Sequence, residues 1–575
     1  MDQDKKQGNV ISRSLKQVCH NPLIVLILIT LGIVSYFLSI QMRIGVPYWD
    51  VFNYLNNALY FAGMEGGSVS IFLPPLLPLL TSLLFRMGYV SINAIFIVSG
   101  LISIIGVTGF YLLLKQRFNP IQSFAGSIIF ISLPVMLSWV VSGGIDIPGV
   151  VFSIWTIYFL IIGLKKDSRF LYFVLPLAVI AIMARYTSGL VILPIILYLL
   201  INLDDLKTIE NLKKIILGVL IEFGVLIVGS IYFFVKLGAT ASIFNLIFAV
   251  ATATSTGAGD VAYNPNLLYY LQNLLNYISV GPIQGTYQQI LNPSLGIPSI
   301  LSYVIALITI VGLSFYIYKG AKSRFGRVNP SPLNRSNLLK FTLTLVLVAG
   351  FVISFYFKSL ISSEILLISV LYLLYLFLFS GESDDSKGKV SLDFMFLSWF
   401  GVFFIFHSIL PFKVDRYFIT MAPAFAYFLI LGFSQFMDLV DIKSRITKSS
   451  FRKCVVYLIL AMVFLSSASA IYVGHTPKKT FTIDIGNSSD WIKEYDPHYH
   501  DKNIRSDYPN AVSWYLKMDV LGAYPRLFNT TGEFADYLKN NNVDYYIDST
   551  SQSHPDIEGY RIIRSWGVVV IYQKL

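Results

Sequence analysis

Three charged residues stand at the ends of long apolar runs, where ionisable side chains are costly and therefore informative. Asp50 follows the first apolar run, in "GVPYWDVFNYLNNALYFAGMEGG", while Lys413 and Arg416 lie in "LPFKVDRYF". A carboxylate can act as a general base on a hydroxyl group. Arginine offers a rigid fork of donors and lysine a point charge, and both suit a phosphate group. These residue types could together move a group from a phosphate to a hydroxyl.

The sequence also offers a second candidate acid, and each of these charged residues could have a purely structural role instead. Asp146, in "SGGIDIPG", is a second candidate base. If the migrating group is a sugar on a phosphate, the leaving group is already stabilised, and one carboxylate acting on the incoming hydroxyl is enough. Asp50 could instead cap a helix that begins at Val51, and Asp146 could be a turn residue. Lys413 and Arg416 could be anchors at the lipid–water boundary.

The chain that positions these residues is strongly apolar. It has 575 residues, of which 55% are hydrophobic and only 13% charged, and its mean hydropathy is +0.66. A soluble globular protein has about a quarter charged residues. Apolar runs of about 20 residues recur along the sequence, which is the length needed to cross a hydrocarbon core. The sequence therefore predicts a polytopic α-helical membrane protein.

The distribution of charge predicts topology rather than nucleic-acid binding. The formal net charge is +11, but the basic residues cluster in short loops between apolar runs. Alternate loops are basic, which places these loops and the N-terminus in the cytoplasm. Because the number of predicted spans is odd, the C-terminus is then outside. We predict 13 spans in the plasma membrane: 22–40, 90–114, 121–138, 147–164, 170–184, 188–202, 215–236, 297–317, 340–357, 364–380, 392–409, 417–437 and 454–473.

This topology divides the chain into two regions. Residues 1–475 form a transmembrane domain with two long external loops, 41–89 and 237–296. The first loop contains an apolar segment, "SIFLPPLLPLLTSLLFRMG", whose prolines favour an amphipathic helix at the interface over a span. Residues 476–575 are polar, and their helix and strand patterns predict a small external α/β or α+β domain with a terminal hairpin.

Most ionisable residues near the spans fall at their external ends in this topology. They are Asp50, Glu65, Asp146, Arg185, Lys358, Glu364, Lys413, Asp415 and Arg416. A transporter more often holds its charged groups near the midplane of the bilayer. We therefore expect these groups to meet at the external face. His498 and His500 have no firm third partner, so no metal motif is evident, and the use of a divalent cation stays open.

Five stretches, in this order, resemble a known superfamily. They are "YWDVFNYLNNALYF", "LPPLLPLL", "GGIDIPGVVFSIWTIYFL", "ARYTSGLVILPIILYLL" and "FKVDRYFITMAPAFAYFLILGF". From residue 22 to about residue 437 the chain resembles the GT-C superfamily of polytopic glycosyltransferases. The nearest branch is the protein O-mannosyltransferase and aminoarabinose-transferase-like group, in a prokaryotic or archaeal form. The resemblance implies a donor sugar on dolichyl or undecaprenyl phosphate, an external active site and an inverting transfer.

The resemblance also implies roles for particular residues. The catalytic acid of the first external loop maps onto Asp50. The donor-phosphate region maps onto Lys413, Arg416 and Tyr417, with Arg185 as a weaker counterpart. Basic residues are uncommon on the external side, which favours a binding role for this group.

Many members of the superfamily carry two acids where this chain has only Asp50. The role of the second acid is therefore open, with Asp146 and Glu65 as substitutes. Glu65, Tyr54 and Tyr417 are candidate substrate-binding residues, although tyrosines at this depth also serve as interfacial anchors.

Two other classes of function remain alongside the enzyme. A flippase or exporter of lipid-linked saccharides would need substrate groups through the membrane depth and usually shows internal symmetry, which the sequence lacks. The third alternative is a non-catalytic envelope protein whose external domain binds partners. For the enzyme, the acceptor could be a lipid, a glycan or a protein.

Overall fold

The computed structural model describes residues 22–46, 49–67, 73–203, 210–211, 213–218, 220–221, 224, 264–282, 296–325, 335–379, 384–443, 450–472, 480–549 and 554–575. These residues are mostly helical, with one small sheet near the C-terminus. The predicted fold class, a polytopic helical protein with a small C-terminal α/β unit, is confirmed.

The described residues before the C-terminal unit are mainly in helices. Their bounds are Leu23–Ile44, Asp50–Ala62, Leu76–Arg86, Asn93–Leu114, Pro120–Ser132, Pro134–Trp139, Asp146–Lys165, Val174–Ala184, Ile192–Ile201, Tyr269–Gln272, Leu274–Ile278, Ile300–Phe325, Arg335–Tyr356, Leu360–Phe379, Asp384–Ile409, Ala422–Lys443 and Ser450–Ile471, with 3₁₀ turns at Ser168–Phe173, Tyr186–Val191 and Asp415–Thr420.

Eight of these helices are long and apolar enough to cross a membrane, counting the described residues alone. Four shorter apolar segments also coincide with predicted spans: Pro120–Ser132, Ser168–Ala184, Tyr186–Ile201 and Phe341–Tyr356. The helix predicted for the first loop is present as Leu76–Arg86, and we call it the interfacial helix after that prediction. Most of the predicted span 215–236 and of the predicted loop 237–296 lies outside the described residues. The count of 13 spans is therefore not confirmed.

Two of the predicted spans differ from the helices in the structure, one of them because of a proline. The apolar run 121–138 forms two helices, Pro120–Ser132 and Pro134–Trp139, because Pro134 has no N–H and forces Leu133 into an extended conformation with ψ of 134°. The predicted span 417–437 begins later, at Ala422, after the 3₁₀ turn Asp415–Thr420. This later start leaves Arg416 and its neighbours in a short loop.

The C-terminal unit pairs a mixed sheet with three helices. The helices are Phe481–Tyr495, Pro509–Leu516 and Thr531–Asn540, with 3₁₀ turns at Tyr499–Asp501 and Pro525–Leu527, and the strands are β1 (Ile504–Ser506), β2 (Leu521–Gly522), β3 (Tyr545–Asp548), β4 (Tyr560–Trp566) and β5 (Val569–Lys574). The strand order is β2-β1-β3-β5-β4. β1 runs parallel to β2 and β3, whereas β5 is antiparallel to β3 and β4. The predicted terminal hairpin is present as β4 and β5.

The membrane helices and the C-terminal unit share one apolar core. The largest cluster of buried side chains continues from the helices into the C-terminal unit, where it includes Trp514 and Ile547. The ring of Trp514 lies 5.7 Å from that of Phe85, at the end of the interfacial helix. The C-terminal unit is thus packed against the helices rather than tethered to them.

Glycine allows a close crossing of the helices Ile300–Phe325 and Ala422–Lys443. A Cβ atom added at Gly432 would lie 2.7 Å from the carbonyl oxygen of Thr309, and one at Gly312 would meet the carbonyl of Gly432. Small residues at such crossings let two helix backbones approach within a membrane.

We predict that Gly432→Ala lowers the apparent melting temperature of the purified protein, because overpacking a crossing costs about 1–3 kcal/mol. Gly350→Ala is the matched control, since its added Cβ would meet only the side chain of Leu366, at 3.7 Å. Alanine is otherwise the better helix former, so the control should be neutral or stabilising. Equal effects of the two substitutions would contradict the crossing.

Candidate functional site

Asp50 is the first residue of the helix Asp50–Ala62, which we call the Asp50 helix. The residue at the capping position is Trp49, and no side chain caps this end, so Asp50 is not the helix cap. A carboxylate in the first turn is favoured by the helix dipole. The helix ends at Gly63, whose positive φ of 75° suits a residue without a Cβ atom. The Asp50 side chain remains 36% exposed.

Arg416 meets Asp50 across the fold. The guanidinium Nη2 lies 3.7 Å from the Asp50 Oδ2 atom, and the Arg416 side chain is 26% exposed. The guanidinium also lies over two rings, 5.5 Å from the centre of Trp139 and 5.6 Å from that of Tyr417. Cation–π contacts of this kind hold a guanidinium plane in place. A carboxylate and a guanidinium group are therefore adjacent and both partly exposed.

The residue before Arg416 ties the loop to the rest of the protein. The Asp415 Oδ1 atom accepts hydrogen bonds from the hydroxyls of Tyr277, at 2.7 Å, and Tyr269, at 3.1 Å. The Tyr277 ring also stacks on Phe418 with ring centres 3.8 Å apart. These contacts fix the backbone on both sides of Arg416.

Asp146 and Arg185 form a buried ion pair beside this loop. The side-chain exposures are only 5% and 7%, in contrast to the Asp50–Arg416 pair. Arg185 Nε donates to the hydroxyl of Thr187 at 2.7 Å, and its guanidinium lies 5.4 Å from the centre of the Tyr417 ring. Tyr417 therefore contacts both Arg185 and Arg416, and the buried pair supports the site from behind.

Lys413 lies in the same loop, but its ammonium group already has backbone partners. Nζ donates to the carbonyl oxygen of Ser408 at 2.8 Å and to that of Leu410, just after the helix that ends at Ile409. Burial lowers the pKa of Lys413 to about 8, with Lys358 contributing. The group is still largely protonated at neutral pH and suits the carbonyl-rich end of a helix. A phosphate-binding role for Lys413 stays a prediction.

The other two predicted site residues lie at different ends of the Asp50 helix. Tyr54 is one turn after Asp50 and is fully buried, and burial raises its pKa, so it is a neutral phenol at physiological pH. Glu65 is exposed just beyond the far end of the helix. At 1.5 Å per residue the helix is about 20 Å long, so Glu65 is not part of the same cluster.

Sequence reasoning missed two aromatic residues of the site. Trp139 ends the short helix that Pro134 creates, and the proline was the one available signal of that break. His407 is buried, stacks on Tyr417 with ring centres 4.8 Å apart, and contacts the Thr420 hydroxyl through Nε2 at 3.1 Å. Nothing in the spacing of the sequence pointed to His407.

No metal centre is evident in the part of the chain that the structure describes. There, no group of three or more His, Cys, Asp or Glu side chains is placed to hold an ion. The described side chains offer a carboxylate, two guanidinium groups and tyrosines, a set that suits proton transfer and anion binding.

Known proteins resemble this chain in sequence family and in fold. Residues 73–233 match the family described as dolichyl-phosphate-mannose-protein mannosyltransferase. The fold is similar to that of ArnT from Cupriavidus metallidurans in the apo state, with a TM-score of 0.56, 10% identity, and 96% of this chain and 97% of that chain covered. No curated protein matches the sequence.

Two further solved structures align less closely. ArnT from Cupriavidus metallidurans bound to undecaprenyl phosphate has a TM-score of 0.46 at 10% identity, covering 96% of this chain and 97% of that chain. The archaeal oligosaccharyltransferase AglB from Archaeoglobus fulgidus, in complex with an inhibitory peptide and a dolichol-phosphate, has a TM-score of 0.47 at 12% identity, covering 92% and 69%. Residues 73–233 match a mannosyltransferase family, and the chain shares the fold of apo ArnT, as the resemblance to GT-C membrane glycosyltransferases predicts.

The two ion pairs should respond differently to removal of the acid. Asp146→Asn leaves the Arg185 charge buried without its partner, and we expect a loss of about 3–5 kcal/mol in stability. Asp50→Asn breaks a partly exposed pair and should cost at most about 1 kcal/mol. Thermal unfolding of the two purified variants in one detergent measures the difference. Equal melting temperatures would show that Asp146 is not a structural partner of Arg185.

Proposed function

We propose that this protein is a GT-C membrane glycosyltransferase that moves a sugar from a polyprenyl-phosphate donor to an acceptor hydroxyl at the external face, with inversion at the anomeric carbon. The donor class is suggested by the family that residues 73–233 match, whose description names dolichyl-phosphate-mannose. The observation that carries the proposal is the Asp50–Arg416 pair, a carboxylate and a guanidinium 3.7 Å apart at a partly exposed position.

Arg416 is the proposed ligand of the donor phosphate. A phosphodiester carries one negative charge, and a guanidinium can bind two of its oxygens through parallel hydrogen bonds. Trp139 and Tyr417 hold the guanidinium plane, so little side-chain freedom is lost on binding. Arg185, whose charge is balanced by Asp146, supports the Tyr417 ring from behind, and Lys413 holds the loop.

Asp50 is the proposed base. Its carboxylate removes the proton of the acceptor hydroxyl while the hydroxyl oxygen bonds to the anomeric carbon. The bond from that carbon to the phosphate oxygen breaks, and its electron pair leaves with the polyprenyl phosphate. Arg416 stabilises the charge on the departing phosphate. A single displacement of this kind inverts the anomeric configuration.

This step requires Asp50 and Arg416 to separate. The base and the leaving phosphate stand on opposite sides of the anomeric carbon in an in-line displacement, so the sugar must lie between them. A phosphate on Arg416 would compete with the Asp50 carboxylate for the same donors. Donor binding would thus release Asp50 from its partner and leave it available to the acceptor.

The proposal makes opposite predictions for donor binding by two variants. Asp50→Asn should abolish transfer yet bind undecaprenyl phosphate as tightly as the wild type or more tightly, because the competing carboxylate is gone. Arg416→Gln should weaken binding about tenfold or more, since a charged hydrogen bond contributes about 1.5–3 kcal/mol. Titration of the lipid phosphate into detergent-solubilised protein measures both. Weaker binding by Asp50→Asn, or unchanged binding by Arg416→Gln, would contradict the proposal.

A turnover assay separates the three classes of function. Purified protein in vesicles is given polyprenyl-phosphate sugars together with lipid, glycan and peptide acceptors. We expect a glycosylated acceptor and free polyprenyl phosphate, with transfer lost in Asp50→Asn. Movement of the lipid across the bilayer without cleavage would indicate a flippase, and neither outcome would favour an envelope scaffold.

A further inference from the structure

The C-terminal unit forms hydrogen bonds with the segment that precedes the Asp50 helix. The Thr480 backbone N–H and hydroxyl both donate to the carbonyl oxygen of Ile44, each at 2.9 Å. The Thr482 hydroxyl donates to the carbonyl oxygen of Val46 at 3.1 Å. The segment just before the Asp50 helix is therefore held by residues more than 400 positions away in the sequence.

Tyr508 makes the next contact, at the first turn of the Asp50 helix. Its ring is 4.2 Å from that of Trp49, 6.2 Å from Phe52 and 5.4 Å from Phe481, all in edge-to-face geometry. The residue is buried, with 7% exposure. Edge-to-face contacts between aromatic rings are favourable beyond the area that they bury, so this cluster resists displacement of the turn.

The sheet of the C-terminal unit fixes Tyr508 in turn. The Tyr508 N–H donates to the Ser506 hydroxyl at 2.9 Å, at the end of β1. Two residues later, the Asn510 carbonyl oxygen accepts from the Asn56 side chain at 3.0 Å, one and a half turns along the Asp50 helix. Burial raises the pKa of Tyr508, and the carboxylate of Asp50 raises it further, so the ring stays neutral beside the acid.

The far end of the Asp50 helix is held as well. Gly66, with φ of 71°, packs so closely on the backbone of Lys517 that an added Cβ atom would collide with it. Lys517 directly follows the helix Pro509–Leu516, which also carries Asn510. One helix of the C-terminal unit therefore supports the Asp50 helix along its length.

We propose that Tyr508 is a positioning residue for the transfer reaction: its ring, wedged against Trp49, sets the place of the Asp50 carboxylate. The inference rests on the proposed role of Asp50 as the base. Tyr508 acts through the first turn of the helix, whereas the donor-binding guanidinium lies against Trp139 and Tyr417. The C-terminal unit is thereby part of the catalytic apparatus even where it contacts no substrate.

The test compares Tyr508→Ala with Tyr508→Phe in the full-length protein. Loss of the ring should lower kcat about 100-fold, because misplacing a catalytic group by about 1 Å can cost that much. The KM for the polyprenyl-phosphate donor should not change. Tyr508→Phe keeps the ring and should keep wild-type kcat. Tyr495→Ala is the matched control, since that ring stacks on Trp491 at the end of another helix.

Hydrogen exchange gives a second readout that needs no turnover. Peptides covering residues 49–56 should exchange about tenfold faster in Tyr508→Ala than in the wild type or in Tyr508→Phe, because the first turn opens locally. Unchanged exchange in Tyr508→Ala overturns the positioning role whatever the activity. Absence of transfer by the wild type, with faster exchange in Tyr508→Ala, would reject the proposed reaction but leave the structural hold of Tyr508 established.

A milder variant covers the case in which Tyr508→Ala does not fold. Thr480→Val keeps the backbone hydrogen bond to Ile44 and loses the two that the hydroxyl makes, with Ile44 and with Thr482. It should lower kcat severalfold with the same donor KM. An effect on donor KM with kcat unchanged would contradict positioning of the base.

Discussion

The site depends on one ion pair that is neither buried nor tightly closed. Asp50 and Arg416 approach to 3.7 Å with about a quarter to a third of each side chain exposed. A partly exposed pair of this kind adds at most about 1 kcal/mol to stability. Separating the two side chains therefore requires little free energy, whereas separating a fully buried pair would require several kcal/mol. A pair that opens easily can exchange a carboxylate for the phosphate of an incoming ligand, as the proposed reaction requires.

The two side chains of the pair can separate, whereas the backbone on each side of the pair is held by several contacts. Arg416 lies against Trp139 and Tyr417, and the neighbouring Asp415 accepts hydrogen bonds from the buried Tyr277 and from Tyr269. The Asp50 helix is held from the opposite side by the C-terminal unit, through Thr480 and Tyr508. The backbone on each side is thus fixed, and the freedom needed for binding is confined to two side chains. Preorganised groups of this kind lower the reorganisation that a reaction must undergo.

The fold class, the C-terminal unit and the segments that contain Asp50 and Arg416 could be predicted from the sequence, but the contacts between individual side chains could not. Apolar length and loop charge place Asp50 and Arg416 on one side of the membrane, because those signals are local and additive. That Arg416 pairs with Asp50, and Arg185 with Asp146, depends on helix packing that no spacing encodes. The helix break at Pro134, the later start at Ala422 and the backbone partners of Lys413 were missed for the same reason. Tyr508 gave no signal at all, since its partner Trp49 is distant in the sequence.

The central claim is that a lipid phosphate takes the place of the Asp50 carboxylate on Arg416. The most direct measurement is an experimental structure of the protein with undecaprenyl phosphate bound. The account predicts phosphate oxygens within hydrogen-bonding distance of the Arg416 guanidinium and the Asp50 carboxylate turned away from it. A lipid phosphate bound elsewhere, with Asp50 and Arg416 still in contact, would contradict the account.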